Sequence, residues 1–460
     1  MVEAKAIETV LDRMGRNQSA PALFWDNREY SYADFGAMIH TWDARLRSLQ
    51  IGAGAVCGVL GEYSPEVCAL LFALMRARAI LVPFSYAAEP EMPGYLALAG
   101  IQKLFRFAAD DSWTLETCSG GAQNDLLTAF LQRGTPGLIV FTSGSTGKPK
   151  GILHDCELVM RKFMVAREGW RTVLFLMIDH FGGFNTLLST FAYHGVAVCL
   201  TRRTTETVCS AIEGSKATLL PTTPTFLNLL IASGAYKVHD LSSIRLITYG
   251  TEPMPEATLA RVGSIFPNSQ IRQTYGLSEL GVLRSKSEGD GSLWLKVGGA
   301  GFETKVVDDL LWVRSESNMV GYLNAPSPFD ADGWMCTGDQ VEVRGEYIRF
   351  LGRKSEIINV GGQKVFPIEV ETVLLQDSNV SEAAVYGVRH PLMGQVAHAR
   401  VSLHCSEEAE ALTERLRKLC LGQLARYKVP MRFVTVNGEV MHGARFKKVR
   451  QGAEQTAIRP

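Results

Sequence analysis

Short runs of apolar, largely β-branched residues recur through the first 250 residues of this chain, and they constrain its fold more than any other feature. The runs are VCGVL at 56–60, LIVF at 138–141, VLFLMI at 173–178, VAVCL at 196–200, TLL at 218–220 and IRLITY at 244–249. Runs of strand length without polar alternation predict strands covered on both faces, the mark of largely parallel sheets. Segments 66–79 and 205–214 lie between such runs and read as helices. The expected class is therefore α/β, a large N-terminal domain of mainly parallel sheets flanked by helices.

Near residue 352 the character changes. GRKSE at 352–356 is a charged, small-residue link, followed by a pattern that reads strand, helix, strand, strand, helix, strand. The clearest helix covers 407–426, with Leu412, Leu416, Leu419 and Leu424 at helical spacing and Pro430 beyond its end. Three parts are expected: an N-terminal domain at 1–352, a hinge at 353–355 centred on Ser355, and a small, mobile α+β lid domain at 356–460.

Composition excludes several classes of function. Forty-seven Lys and Arg balance forty-seven Asp and Glu, so no bulk field draws nucleic acid or an anionic membrane. Nine scattered cysteines contain no C-x-x-C pair, and the histidines show no ligand spacing, so neither a disulfide framework nor a zinc site is expected. The N-terminus lacks an apolar signal core, and no run reaches the roughly 18 apolar residues of a membrane span. A cytoplasmic protein is the expectation.

GLIVFTSGSTGKPKG, at 137–151, runs an apolar strand into a loop of glycines and hydroxyls and then two lysines. Gly144 and Gly147 permit conformations that turn backbone amides inward, and Thr142, Ser143, Ser145 and Thr146 add hydroxyl donors, with Lys148 and Lys150 behind. Such a nest suits phosphate oxygens. A Walker A loop would require Gly-Lys followed by Ser or Thr, whereas Pro149 follows Lys148 here, which argues against a P-loop nucleotide-binding protein.

The loop resembles the phosphate loop of the adenylate-forming superfamily, which includes acyl-CoA synthetases, adenylation domains of peptide synthetases and luciferases. Four further stretches, at 250–253, 273–279, 332–339 and from 352 onward, follow in that family's order. Gly250, Thr251, Glu252 and Pro253 resemble its adenine-flanking turn. The sequence QTYGLSE at 273–279, with Thr274, Tyr275, Gly276, Ser278 and Glu279, resembles its YG-x-[ST]-E motif, which implies a purine on Tyr275, the α-phosphate near Ser278 and Mg²⁺ on Glu279. DGWMCTGD ends in Asp339, which by resemblance accepts hydrogen bonds from the ribose hydroxyls, and Arg353 takes a second ribose role. The stretch IDHFGGFN at 178–185 resembles the motif gating the carboxylate pocket, with His180 as a catalytic candidate.

Phe181, Phe184, Asn185, Thr223, Tyr249 and Gly276 are the candidate acyl-pocket residues. They form an apolar lining without a buried charge, suited to a hydrophobic or cyclic acid rather than an amino acid, although Asp179 leaves that choice open.

The resemblance implies ATP and Mg²⁺ as cofactors and a small carboxylic acid as substrate. The carboxylate attacks the α-phosphate in line and pyrophosphate leaves, so positioning and charge neutralisation supply the rate. The family's catalytic lysine, in a [ST]-G-K loop near the C-terminus, has no direct counterpart in VNGEVMHGARFKKVR at 436–450. Either Arg445 or Lys447 replaces it.

The acceptor is expected to be an amino acid amine, as in stand-alone amide ligases of the coronafacic acid ligase type. CoA, or a carrier protein acting in trans, is the alternative thiol acceptor. A degenerate member that binds acyl-adenylate without turnover is the further alternative.

Overall fold

The computed structural model describes residues 5–120, 124–143, 149–289, 291–299, 301–437, 441–443, 446 and 448. Two seven-stranded sheets build the first part of the chain. In one, Gly137–Ser143, Ile80–Phe84, Val56–Leu60 and Lys103–Phe107 run parallel, in that order across the sheet. Leu138 and Val140 point into one apolar cluster, while Ile139 and Phe141 point into another. This two-sided burial is why the run carries no polar alternation.

The second sheet places Gln270–Gln273, Leu246–Tyr249, Leu219–Thr222, Arg171–Val173, Val196–Val198 and Pro21–Trp25 parallel to one another. The helices between strands include Pro65–Arg76 and Thr205–Ser215, at the segments the sequence marks as helical. Pro65–Arg76 starts on the Ser64 side chain, which accepts from Val67 N, and it buries residues all round its circumference between neighbouring layers.

Two features depart from the sequence reading. The strand expected over 173–178 ends at Val173, because Phe175 leaves the ladder to pack against Phe226 in the second core. Six strands between Ser285 and Arg353 form an antiparallel sheet that was not anticipated. Its strands bury one face only, as Leu310–Ser315 does at alternate positions, and such short alternation carries a weak signal.

Beyond Lys354–Glu356, a five-stranded sheet carries the helices Pro367–Leu374 and Ala409–Gln423 over its own apolar cluster. The hairpin Ile358–Val360 and Gln363–Val365 supplies one more strand than the sequence pattern indicated. Exposed Ser355 lies in the single 3₁₀ turn between the two sheets. Among the described residues, no helix is long and apolar enough to cross a membrane.

Candidate active site

Thr222, Tyr249 and Gln273 are in register at the carboxyl ends of adjacent parallel strands, where ligands of open α/β sheets bind. The loops leaving these strands carry Thr223, the turn from Gly250 to Pro253, and Thr274. A Cβ on Gly250 would meet Thr274 Oγ1 at 2.7 Å and its carbonyl at 2.8 Å, so only glycine allows the two loops to close on each other. Thr251 takes φ +72°, costly for a β-branched residue and therefore held by its surroundings. Glu252 is one of those restraints, since Oε1 accepts from Thr225 N at 2.8 Å.

Thr251, Tyr275, Gly276, Asp339, Phe350 and Arg353 border one cleft beside this turn. Tyr275 donates its hydroxyl to Asp339 Oδ2 at 2.7 Å and stacks on Phe350 with ring centroids 4.5 Å apart. Asp339 and Arg353 face each other across an antiparallel pair, with Arg353 Nε 3.4 Å from Asp339 Oδ1. Burial raises the Asp339 carboxyl above its ordinary value, and the guanidinium opposes that shift. The set offers an aromatic face, a carboxylate acceptor and an exposed cation at one wall. A nucleoside requires those three features: stacking for the base, an acceptor for ribose hydroxyls and a fixed charge beside them. Phe350 carries no motif signal and was missed; its position two residues before Gly352 and Arg353 is the available cue.

At the far end of the same motif, Glu279 Oε1 accepts from Tyr322 OH at 2.7 Å. Lys150 Nζ lies 4.7 Å from the centroid of the Tyr322 ring, so the loop lysine and the motif carboxylate meet on one tyrosine. Asn324 fastens the loop's exit, donating to Pro149 O at 2.9 Å and accepting from Gly151 N at 3.1 Å. Tyr322 and Asn324 were also missed; they lie on and just beyond a two-residue strand that pairs with Ile152 and Leu153.

Thr142 and Ser143 end the incoming strand and pair with Lys150 and Pro149 of the outgoing one. The phosphate-loop segment therefore joins two antiparallel strands, whereas a Walker A loop opens a helix. Gly144, Ser145, Thr146, Gly147 and Lys148 lie outside the described residues, as do Arg445 and Lys447.

Glu279 is the carboxylate available for a divalent ion, and among the described residues no group of three His, Cys, Asp or Glu side chains converges on one point. A site with one protein carboxylate suits Mg²⁺, which keeps waters and takes its other ligands from phosphate oxygens.

Three acyl-side candidates, Phe181, Phe184 and Asn185, lie at the start of the helix Phe181–Ala192, whose N-cap is His180. Gly183 permits its approach, since a Cβ there would lie 2.0 Å from Met177 O. Phe181 and Phe184 are buried; Phe181 packs against His154 at 4.6 Å and faces Gly281. Asp179 is buried and accepts from Ser85 Oγ at 2.8 Å. Asn185 Oδ1 and the Tyr249 hydroxyl are buried without a hydrogen-bond partner among the described residues. Such buried groups require a partner, which an ordered water or a ligand supplies.

Two placements differ from expectation. Thr223 caps the helix Pro224–Ser233 through Phe226 N at 3.1 Å and donates to Phe446 O at 3.0 Å, so its side chain is committed to structure. A charge that the sequence reading did not foresee also lies beside Phe181. The Lys162 ammonium lies 3.4 Å from Val282 O and 6.0 Å from the Phe181 ring centroid.

The C-terminal segment reaches this region. Phe446 inserts its ring against Phe175 and Phe226, at 5.3 and 5.7 Å. Lys448 N donates to Glu252 Oε2 at 3.3 Å while its ammonium pairs with Glu371 on the helix Pro367–Leu374. One residue thus joins the turn from Gly250 to Pro253 to the small C-terminal sheet unit. The segment 436–450 was marked in the sequence for its missing lysine; Phe446 and Lys448 were not singled out there.

An aromatic, carboxylate and guanidinium wall, a loop lysine that shares a tyrosine with a motif carboxylate, and a smaller C-terminal sheet unit are the features that an adenylate-forming enzyme combines. The chain belongs to the AMP-binding enzyme family: that family's model matches residues 11–323, and the model of the AMP-binding enzyme C-terminal domain matches 369–444. It is an ATP-dependent, AMP-forming acyl ligase.

The chain is 28% identical to an indoleacetate–CoA ligase of Aromatoleum aromaticum, covering 91% of this chain and 92% of that protein. It is likewise 28% identical to the 2-succinylbenzoate–CoA ligase of Bacillus subtilis, covering 92% and 93%. Among solved structures, the anthranilate CoA ligase AuaEII with anthranoyl-AMP superposes with TM-score 0.83 at 22% identity, over 96% of this chain and 95% of that one. The amide bond synthetase McbA of Marinactinospora thermotolerans superposes with TM-score 0.72 at 20% identity, over 94% and 96%.

Proposed function

We propose that this enzyme activates a hydrophobic or cyclic carboxylic acid and transfers the acyl group to the thiol of CoA. The observation that carries the activation step is the pairing of two arrays on one motif: Tyr275 with Asp339 and Arg353 at one end, Glu279 with Tyr322 and Lys150 at the other. A bound ATP would span them, ribose toward Asp339 and phosphates toward Lys150.

The acid's oxygen attacks the α-phosphorus, the bond to the β-phosphate oxygen breaks, and pyrophosphate leaves. Lys150 and the residues of the 142–148 loop neutralise the departing charge, Glu279 would hold Mg²⁺, and Arg445 or Lys447 would serve the α-phosphate. Mg²⁺ when bound supplies charge neutralisation at the phosphates. His180 stands at the acid's entrance. No side chain need exchange a proton in this step, so fixed charge and orientation account for the rate. In the second step the thiol sulfur attacks the acyl carbon, AMP leaves, and the thiol proton goes to solvent.

The thiol is placed first because the curated relatives that match over nine-tenths of both chains are named as CoA ligases. An amino acid amine is the second reading, favoured by the absence of a Gly-Lys pair in the 436–450 segment, which sets this chain apart from the usual pattern. The test is acid-dependent pyrophosphate release across a panel of aromatic and alicyclic acids, followed by mass analysis of the product with CoA or amino acids supplied. No release with any acid would leave a binding protein rather than a ligase. An amide without thioester would make the amine the acceptor.

A further inference from the structure

The hairpin of Tyr275–Leu277 and Gly281–Leu283 separates two environments. Its first strand borders the nucleotide cleft. Its second strand turns toward Phe181 and Lys162: a Cβ on Gly281 would touch the Phe181 ring at 3.4 Å, and Val282 O takes the Lys162 ammonium at 3.4 Å. A carboxylate held for attack beside this motif would direct its acyl body away from the nucleotide, toward that second strand.

Lys162 is poorly provided for where it stands. It lies at the end of the helix Cys156–Arg161, half-buried as a residue, with its ammonium over Phe163 at 5.1 Å and Phe181 at 6.0 Å. Among the described residues no carboxylate lies within 4 Å of it. The charged and titratable groups facing it are Arg284, which repels it, and His154, a fully buried imidazole held neutral by burial, with its value down to about 3. Loss of solvent, and then Arg284, pull the lysine down to about 7. Among the described residues neither ring nitrogen of His154 has a partner of good hydrogen-bond geometry, and the Ser278 backbone is the polar group that acts on the ring. A desolvated cation beside another cation, with one long bond to a carbonyl, gains most from an incoming anion.

We propose that Lys162 is a specificity-determining residue that binds an anionic group on the far end of the acyl substrate, so that the preferred acid carries a second carboxylate or a phenolate besides the carboxylate that is activated. This rests on the ligase reading given above. An acid that ends in hydrocarbon leaves the ammonium uncompensated, whereas a distal anion pairs with it away from water and restores the charged form.

The experiment uses the full-length enzyme and ATP–pyrophosphate exchange, which needs no acceptor and so keeps the acceptor's own carboxylate out of the measurement. Benzoates and cyclohexanecarboxylates are assayed in matched pairs, with and without a distal carboxylate or phenolic hydroxyl. The wild type is expected to favour the substituted member at least tenfold in kcat/KM. Lys162→Met should lower that ratio at least tenfold, and Lys162→Arg should keep most of it. Between pH 6 and 8 the ratio should fall in the wild type as the lysine loses its proton, and stay level in Lys162→Arg.

Parallel loss of both members of each pair in Lys162→Met would make the lysine a mere staple on the Val282 carbonyl and overturn the proposal. Indifference of the wild type to the distal group would overturn it equally. Exchange with no acid of either kind would instead remove the ligase reading, and this proposal with it. Because a misfolded Lys162→Met would be uninformative, the Lys162→Arg pH series decides by itself: a ratio that falls in parallel with the wild type counts against the proposal.

Discussion

Lys448 holds its ammonium 2.8 Å from Glu371 Oε2, with the two side chains 8% and 0% exposed. The same residue's backbone N–H reaches Glu252 beside the nucleotide cleft, and Glu371 Oε1 is fixed by Val385 N at 3.0 Å. A buried pair with both partners hydrogen-bonded tolerates loss of one member badly, since about 3–5 kcal/mol is at stake when a charge is left alone. Lys448→Met is therefore expected to lower the melting temperature and slow ATP–pyrophosphate exchange at least tenfold. Adding Glu371→Gln should recover stability but not exchange, because the tether to the cleft stays cut. Full exchange in Lys448→Met would show that the segment needs no anchor.

Tyr275 is more than a stacking surface. Its hydroxyl is a hydrogen-bond donor to the buried Asp339 carboxylate. Tyr275→Phe keeps the ring against Phe350 and removes that donor, a loss of about 1–3 kcal/mol for a buried acceptor. The KM for ATP should rise about tenfold with little change in the affinity for the acid, as steady-state kinetics with each substrate varied would show. An unchanged KM for ATP would mean that Asp339 is held by Arg353 alone.

Tyr322 stands between the loop lysine and the motif carboxylate. Tyr322→Phe retains the ring under Lys150 and frees Glu279 Oε1. If Glu279 is the ion's ligand, its orientation is loosened, and the Mg²⁺ concentration giving half-maximal exchange should rise several-fold. A titration with Mg²⁺ in both proteins provides the check; superimposable curves would detach Tyr322 from the ion.

Glu382 supplies a pH test that does not depend on substrate. Burial raises its carboxyl to about 7, with Lys448 opposing and Glu252 adding to the rise. The folded state then binds a proton that the unfolded chain has released, so this group's contribution falls as pH climbs from the ordinary glutamate value to about 7 and is level above it. The cost is roughly 3–4 kcal/mol once the window is passed. Glu382→Gln should raise the melting temperature at pH 8, with the gain vanishing near pH 4.5. Equal gains at both values would point to a packing effect instead.

Several parts of this protein could be read before any folding was considered. Uniformly apolar runs at 56–60 and 138–141 mean burial on both faces, and the structure sends Leu138 and Ile139 into different cores. Pro149, where a Walker A loop needs Ser or Thr after its lysine, spoke against that loop, and the strands on either side of the segment pair antiparallel. The order of motifs ending in Glu279, Asp339 and Arg353 is local chemistry at fixed spacing, legible because each stretch carries its own signal.

What the sequence left open depended on distance along the chain. Nothing in the residues around 322 announces that a tyrosine there will meet Glu279 and Lys150, nor can spacing tell that Phe350 backs Tyr275. Lys162 carries no signal in the sequence, and its neighbours Phe181 and Val282 arrive from other elements. Phe446 and Lys448 acquire their meaning only when the C-terminal segment reaches Phe226, Glu252 and Glu371. Periodicity and motif chemistry are written in neighbours, and the sequence determined those. Desolvation, charge pairing and closure depend on which distant surfaces meet, and the tertiary structure alone decided them.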